Sequence, residues 1–173
     1  MVSSSLRYIG EEVIKCINCG SLNFKVSFYI YEAPLVGNIL IEHGVCSECG
    51  YRKADVSIVD YGKPKTIKAF VKSRNDLNAL VVKSSTATIM IPELGIEVVP
   101  GSAAYGYLTT IEGILEQVLD VIPSDCEERK ECIDKVNLIK DAMNGSIKFT
   151  LIIKDPLGRS AVIGEDLSIV VEE

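Results

Sequence analysis

The chain has 173 residues, of which 47% are hydrophobic, 24% charged and 6% aromatic, the balance of a globular protein with one large or two small folded units rather than a fibrous or disordered one. No apolar run approaches the roughly 18 residues of a bilayer span, and Met1-Val2-Ser3-Ser4-Ser5 lacks the charged-then-apolar order of a signal peptide, so a cytoplasmic protein without membrane association is expected. Eighteen Lys and Arg against 24 Asp and Glu give a net charge of -6, which disfavours nucleic-acid coating because phosphate backbones repel such a chain.

The first signal in chain order is Cys16-Ile17-Asn18-Cys19, followed at once by Gly20. A strand from Phe24 to Tyr31, a turn from Pro34 to Asn38 and a strand from Ile39 to Val45 then read as a hairpin. It leads into a second pair of the same form, Cys46-Ser47-Glu48-Cys49, followed by Gly50. Residues 12 to 59 are therefore assigned to a zinc ribbon, and Asp60-Tyr61-Gly62-Lys63-Pro64 to a loop that opens a second unit, 60 to 173. In that unit Thr66 to Lys72 alternates, with Ile67, Ala69 and Val71 on one face. Further short strands are read at Leu80 to Lys83, Ala87 to Ile91, Ile96 to Val99, Ile147 to Lys154, Ala161 to Ile163 and Leu167 to Val171.

Two helices interrupt these strands. Thr109-Thr110-Ile111-Glu112 has the form of a capping box, and Ile111, Ile114, Leu115, Val118, Leu119 and Ile122 follow at helical spacing until Pro123. Ser124-Asp125-Cys126-Glu127 has the same form, and Cys132, Val136, Ile139 and Met143 continue a stripe that Asn144-Gly145 stops. The expected fold is mainly β, with a helical hairpin at about 110 to 144 inserted in the second unit.

Four of the six cysteines carry the chemistry. Two residues between cysteines let both sulfurs turn to one point, and a following Gly supplies the positive φ that closes the knuckle. Cys16, Cys19, Cys46 and Cys49 then make the tetrahedral set of a closed structural zinc site. The competing readings are two disulfides, an iron site of rubredoxin type, or a dithiol redox pair. Disulfides need an oxidising compartment, and a redox pair needs one knuckle within a thioredoxin-like unit that is not visible here. Cys126 and Cys132 fall in a helical stretch, where six residues at about 1.5 Å rise separate Cα atoms by about 9 Å, beyond disulfide reach, so buried helix residues are expected.

Other motifs are discounted. Gly101-Ser102-Ala103-Ala104-Tyr105-Gly106 begins like a phosphate-binding loop, but Tyr107 and Leu108 stand where a Lys and a hydroxyl residue are required, so it is read as a turn. His43 is the only histidine, which excludes a multi-histidine metal centre; with four thiolates at hand it is read as a bystander. No carboxylate pair stands out, and no enzyme activity is expected. Residues 50 to 83 carry a local charge of +5 and residues 84 to 134 one of -8, counted along the sequence. Arg52, Lys53, Lys63, Lys65, Lys68, Lys72 and Arg74 would support an alternative reading as a nucleic-acid-associated ribbon, against the overall acidity. An undetected enzyme in the β unit is a second alternative.

The knuckles Cys16 to Gly20 and Cys46 to Arg52 are followed by Val82-Lys83-Ser84-Ser85-Thr86-Ala87, Ile91-Pro92-Glu93-Leu94-Gly95, Thr109-Thr110-Ile111-Glu112-Gly113 and Phe149-Thr150-Leu151-Ile152-Ile153-Lys154-Asp155-Pro156-Leu157-Gly158. In this order they resemble the ZPR-one zinc-finger family, over nearly the whole chain from about residue 12 to 163, as a single-module member of archaeal type. The resemblance implies a four-cysteine zinc ribbon followed by a double-stranded β-helix, jelly-roll-like, with an inserted helical hairpin. It also implies binding to translation elongation factor one-alpha, to assist its folding. A partner surface is expected where the family-like segments meet, at Arg52, Lys83, Glu93 and Leu94, with the acidic hairpin as a second possible contact.

Overall fold

The computed structural model describes residues 6–33, 37–59 and 62–173. The turn expected from Pro34 to Asn38 and the loop from Asp60 to Pro64 therefore lie partly outside the described residues.

Four strands form the first sheet, an antiparallel meander of β1 (Leu6–Ile14), β2 (Phe24–Ala33), β3 (Gly37–Cys46) and β4 (Arg52–Ile58). The register pairs Phe24 with Cys46, so the hairpin brings the base of the second knuckle beside the strand that leaves the first. β1 was not anticipated from the sequence. It buries no side chain and takes a bulge between Tyr8 and Gly10, so it lacks the alternation that marks a half-buried strand. β4 also escaped notice, because only its last residue, Ile58, is buried.

The rest of the chain builds two further sheets around one core. β5 (Lys65–Val71), β6 (Leu80–Lys83), β7 (Thr88–Ile91), β8 (Ile96–Val98) and β9 (Tyr107–Thr110) precede the helices; β10 (Phe149–Asp155), β11 (Ala161–Ile163) and β12 (Ser168–Glu172) follow them. Their order is β12-β5-β10-β7-β8 in one sheet and β11-β6-β9 in the other. Ile67, Ala69 and Val71 of β5 and Phe149, Leu151 and Ile153 of β10 point inward at period two and meet Val81 of β6 and Val162 of β11. Each fully buried Ile or Leu of this set stabilises the fold by about 1.5–3 kcal/mol relative to exposure.

α1 (Ile111–Asp120) begins where expected, with one correction of register: the cap is Thr110, whose hydroxyl accepts from the Gly113 N–H at 3.0 Å, rather than Thr109. Its stripe packs as read, with Ile111, Ile114 and Leu115 buried in the core. The second helix differs. Ser124–Glu128 forms a separate 3-10 turn without a side-chain cap, Arg129 is extended, and α2 (Lys130–Met143) starts only after it. That break overturns the expectation for the remaining cysteines. Cys126 and Cys132 are not two residues of one helix; their Cα atoms are 5.3 Å apart and they form a disulfide.

The first sheet meets the second unit along β4. Ile58 and Ile39 share a buried cluster with Val82 of β6, and the Ile58 N–H donates to the Arg159 carbonyl at 3.3 Å. Gly106, just before β9, donates its N–H to the Asp55 carboxylate. A Cβ there would run into the Val56 carbonyl, so this crossing requires glycine.

Candidate metal centre

The two knuckles are copies of one another in their hydrogen bonds. The Gly20 N–H donates to the Cys16 carbonyl at 2.9 Å and the Gly50 N–H to the Cys46 carbonyl at 3.0 Å. The Cys16 N–H donates to the Ser21 carbonyl at 2.7 Å and the Cys46 N–H to the Tyr51 carbonyl at 2.8 Å. Gly20 and Gly50 have φ of 76° and 71°, the left-handed turn that the sequence required of them. The Ser47 N–H donates to the Asn23 carbonyl at 3.2 Å and ties the knuckles together, while the Phe24 and Tyr51 rings pack beneath them at 5.8 Å.

All four sulfurs lie within 4.8 Å of one another. Cys16 and Cys49 are 3.8 Å apart and Cys19 and Cys46 are 3.7 Å apart, far beyond a disulfide bond. Both separations match those of sulfurs at about 2.3 Å from a tetrahedral zinc, which stand about 3.8 Å from each other. Cys16 and Cys46 are buried, Cys19 and Cys49 exposed. The surroundings favour thiolates. N–H groups of Cys49 and Glu48 and the Ser21 hydroxyl bring the Cys46 thiol down to about 6, and the Ser21 hydroxyl and N–H lower Cys19. Burial pushes Cys16 up to about 11 against the N–H groups of Cys19 and Asn18, a penalty that a cation at the centre of the four sulfurs offsets. The donor set thus suits a soft, closed, four-coordinate ion such as zinc and leaves no ligand position for a reacting water. His43 is exposed on β3 and is not part of the metal cluster.

The residues expected to meet a partner divide into two groups. Arg52 and Glu93 are exposed. Leu94 is 1% exposed and belongs to the β core, and Lys83 is 3% exposed, so neither offers a surface contact in this fold. Lys83 instead joins a buried polar group that the sequence reading did not find. Its Nζ donates to the Ser84 carbonyl at 3.0 Å and stands 5.5 Å from the Tyr107 ring centroid. Asp155 receives the Ser160 hydroxyl at 2.6 Å, the Thr86 hydroxyl at 3.1 Å and the Leu157 N–H at 3.0 Å. Burial would raise the Asp155 carboxyl, but these donors together hold it below its usual range. Burial lowers the Lys83 ammonium, opposed by Asp155 and Asp55. The available signal was periodicity: Phe149, Leu151 and Ile153 face inward, and the next position on that face is Asp155.

A paired-knuckle ribbon fused to a two-sheet β domain with a helical insertion defines a class of zinc-finger protein. Residues 75–168 match the family model of the ZPR1 jelly-roll domain. The chain is 35% identical over 159 residues to a ZPR1-like protein of Methanocaldococcus jannaschii, covering 88% of this chain and 80% of that one. It is 34% identical to a ZPR1-like protein of Pyrococcus horikoshii, covering 87% and 72%. The zinc finger chaperone zpr1 of Schizosaccharomyces pombe is 33% identical over 143 residues, 76% of this chain but 31% of the yeast protein. The chain belongs to the ZPR1 family and contains one module of the archaeal type.

Proposed function

We propose that the chain is a non-enzymatic, zinc-stabilised interaction module of the cytoplasm that binds translation elongation factor one-alpha and assists its folding. In this reading Cys16, Cys19, Cys46 and Cys49 hold the zinc, residues 12 to 59 form the ribbon and residues 60 to 173 the β unit. The observation that carries it is the ribbon tip. Ile17, inside the first knuckle, and Leu22, just after it, are 76% and 73% exposed, apolar side chains presented to solvent beside the sulfur cluster. A fixed apolar anchor loses little conformational entropy on docking, which suits a protein partner better than a small substrate. The name of the yeast relative, a zinc finger chaperone, supports a folding role. The exposed Arg52, beside the second knuckle, supplies a forked donor for carboxylates or carbonyls of the partner.

The test uses purified zinc-loaded chain and elongation factor one-alpha diluted from denaturant. Recovery of nucleotide-binding factor should rise in the presence of the chain and fall back with an Ile17→Asp, Leu22→Asp variant of unchanged zinc content. Capture of the factor from nuclease-treated extract should persist. Refolding and capture indifferent to the chain would refute the partner, and capture abolished by nuclease would favour the nucleic-acid reading.

A further inference from the structure

β1 is the outer edge of the ribbon sheet. β2 pairs with one side of it, and among the described residues no strand pairs with the other, whereas β4 at the opposite edge faces the second unit. An open edge is a template for another strand, and folded proteins usually keep such edges short or polar. This one is nine residues long, and Leu6, Tyr8, Ile9, Val13 and Ile14 are between 44% and 61% exposed.

The pairing with β2 sorts its side chains. Because Ile9 is the extra residue of the bulge, Leu6, Tyr8, Glu11 and Val13 share one face, and Arg7, Gly10, Glu12 and Ile14 share the other. Consider a second β1 laid antiparallel about a twofold axis between Ile9 and Gly10. Arg7 then stands opposite Glu12 and Leu6 opposite Val13, each pair occurring twice, and every partner on either side of the bulge lies on its own face. A slip of one residue in either direction sets Leu6 against Glu12 or Ile14, on the wrong face. Glu11 is already engaged by Lys25 at 2.6 Å and by the Tyr8 hydroxyl, while Arg7 and Glu12 make no ion pair among the described residues.

We propose that β1 is a self-association surface, through which two copies of this chain pair β1 to β1 in that register and join their ribbons into one continuous sheet. The occupant is a second copy because the strand is complementary to itself in charge, in apolar contact and in the position of its bulge. The interface leaves the knuckle tips and the β unit outside it, so it is independent of the function proposed above.

Sedimentation equilibrium of the zinc-loaded chain across a wide concentration range tests it. The weight-average mass should climb from the 18.9 kDa of one chain toward twice that value. Arg7→Glu and Glu12→Arg each place like charges opposite one another twice, and each should move the midpoint of association about tenfold or more to higher concentration. Mixing the two variants restores opposite charges at both positions, so an equimolar mixture should associate again while each variant alone does not. Unchanged zinc content and far-ultraviolet circular dichroism confirm that the variants fold. A native chain that stays at 18.9 kDa up to about millimolar concentration overturns the proposal, as does association that the single variants leave intact or that mixing fails to recover.

Discussion

Replacing Cys126 and Cys132 together by alanine removes the one crosslink between the 3-10 turn and α2. The bridge closes a short loop, with a sequence separation of 6. Chain-entropy arithmetic for about seven residues in the loop gives about 2.3 kcal/mol of stabilisation at 25 °C, acting through the unfolded chain. For a protein of this size each kcal/mol moves the melting midpoint by about 2–4 °C, so the alanine pair should melt about 5–9 °C lower. Alanine is used in preference to serine because Cys126 is buried and a hydroxyl there would need a partner. Zinc content should not change, since neither residue belongs to the sulfur cluster. Thiol titration of the native protein in denaturant with chelator supplies the direct check: four reactive thiols are expected. Six thiols, or a midpoint that the double variant leaves within about 1 °C, would refute the reasoning.

The metal reading predicts near one equivalent of zinc by elemental analysis, lost in Cys46→Ser and retained in Cys132→Ser; structural zinc sites contribute about 10–16 kcal/mol in small finger peptides, so the ribbon should unfold first on ligand loss. Asp155→Asn should lower stability near neutral pH by about 1–3 kcal/mol, measured by urea denaturation, because the carboxylate accepts three hydrogen bonds in a buried site. The folded-state pKa of Asp155 is depressed, so its contribution is fully present above the ordinary carboxylate range and is lost as pH falls through the lower folded value. The gap between native chain and variant should therefore narrow below about pH 4, and a gap independent of pH down to about pH 2 would contradict the assignment.

Legibility followed burial. Strands with one face in the core, such as β5 and β10, alternate strictly and were readable to within a residue or two, as was the α1 stripe. β1 and β4 are held by backbone pairing within the ribbon, and little of their sequence is shaped by a core, so no period betrays them. The four-sulfur cluster was legible because CxxC spacing and the following glycine are local requirements. The Cys126–Cys132 bridge was not, because it depends on the extended conformation of Arg129, a single residue with no helix-breaking signature. Lys83 and Leu94 sit in segments that suggested a surface by resemblance, yet Lys83 ends a strand that is buried from Val81 onward and Leu94 closes a 3-10 turn that tucks it into the β core, neither of which a period of two reveals.

The junction along β4 makes the metal and the β unit reciprocal reporters. Ile39 and Ile58 belong to the sheet that carries the knuckles, yet they bury themselves against Val82, and Asp55 holds the backbone at Gly106. Any occupant of β6 and β9 that shifts zinc affinity through this seam has its own affinity shifted by zinc by the same factor, a thermodynamic identity that needs no moving part. Zinc affinity thereby becomes a remote gauge of docking anywhere on the β unit that strains or steadies this seam.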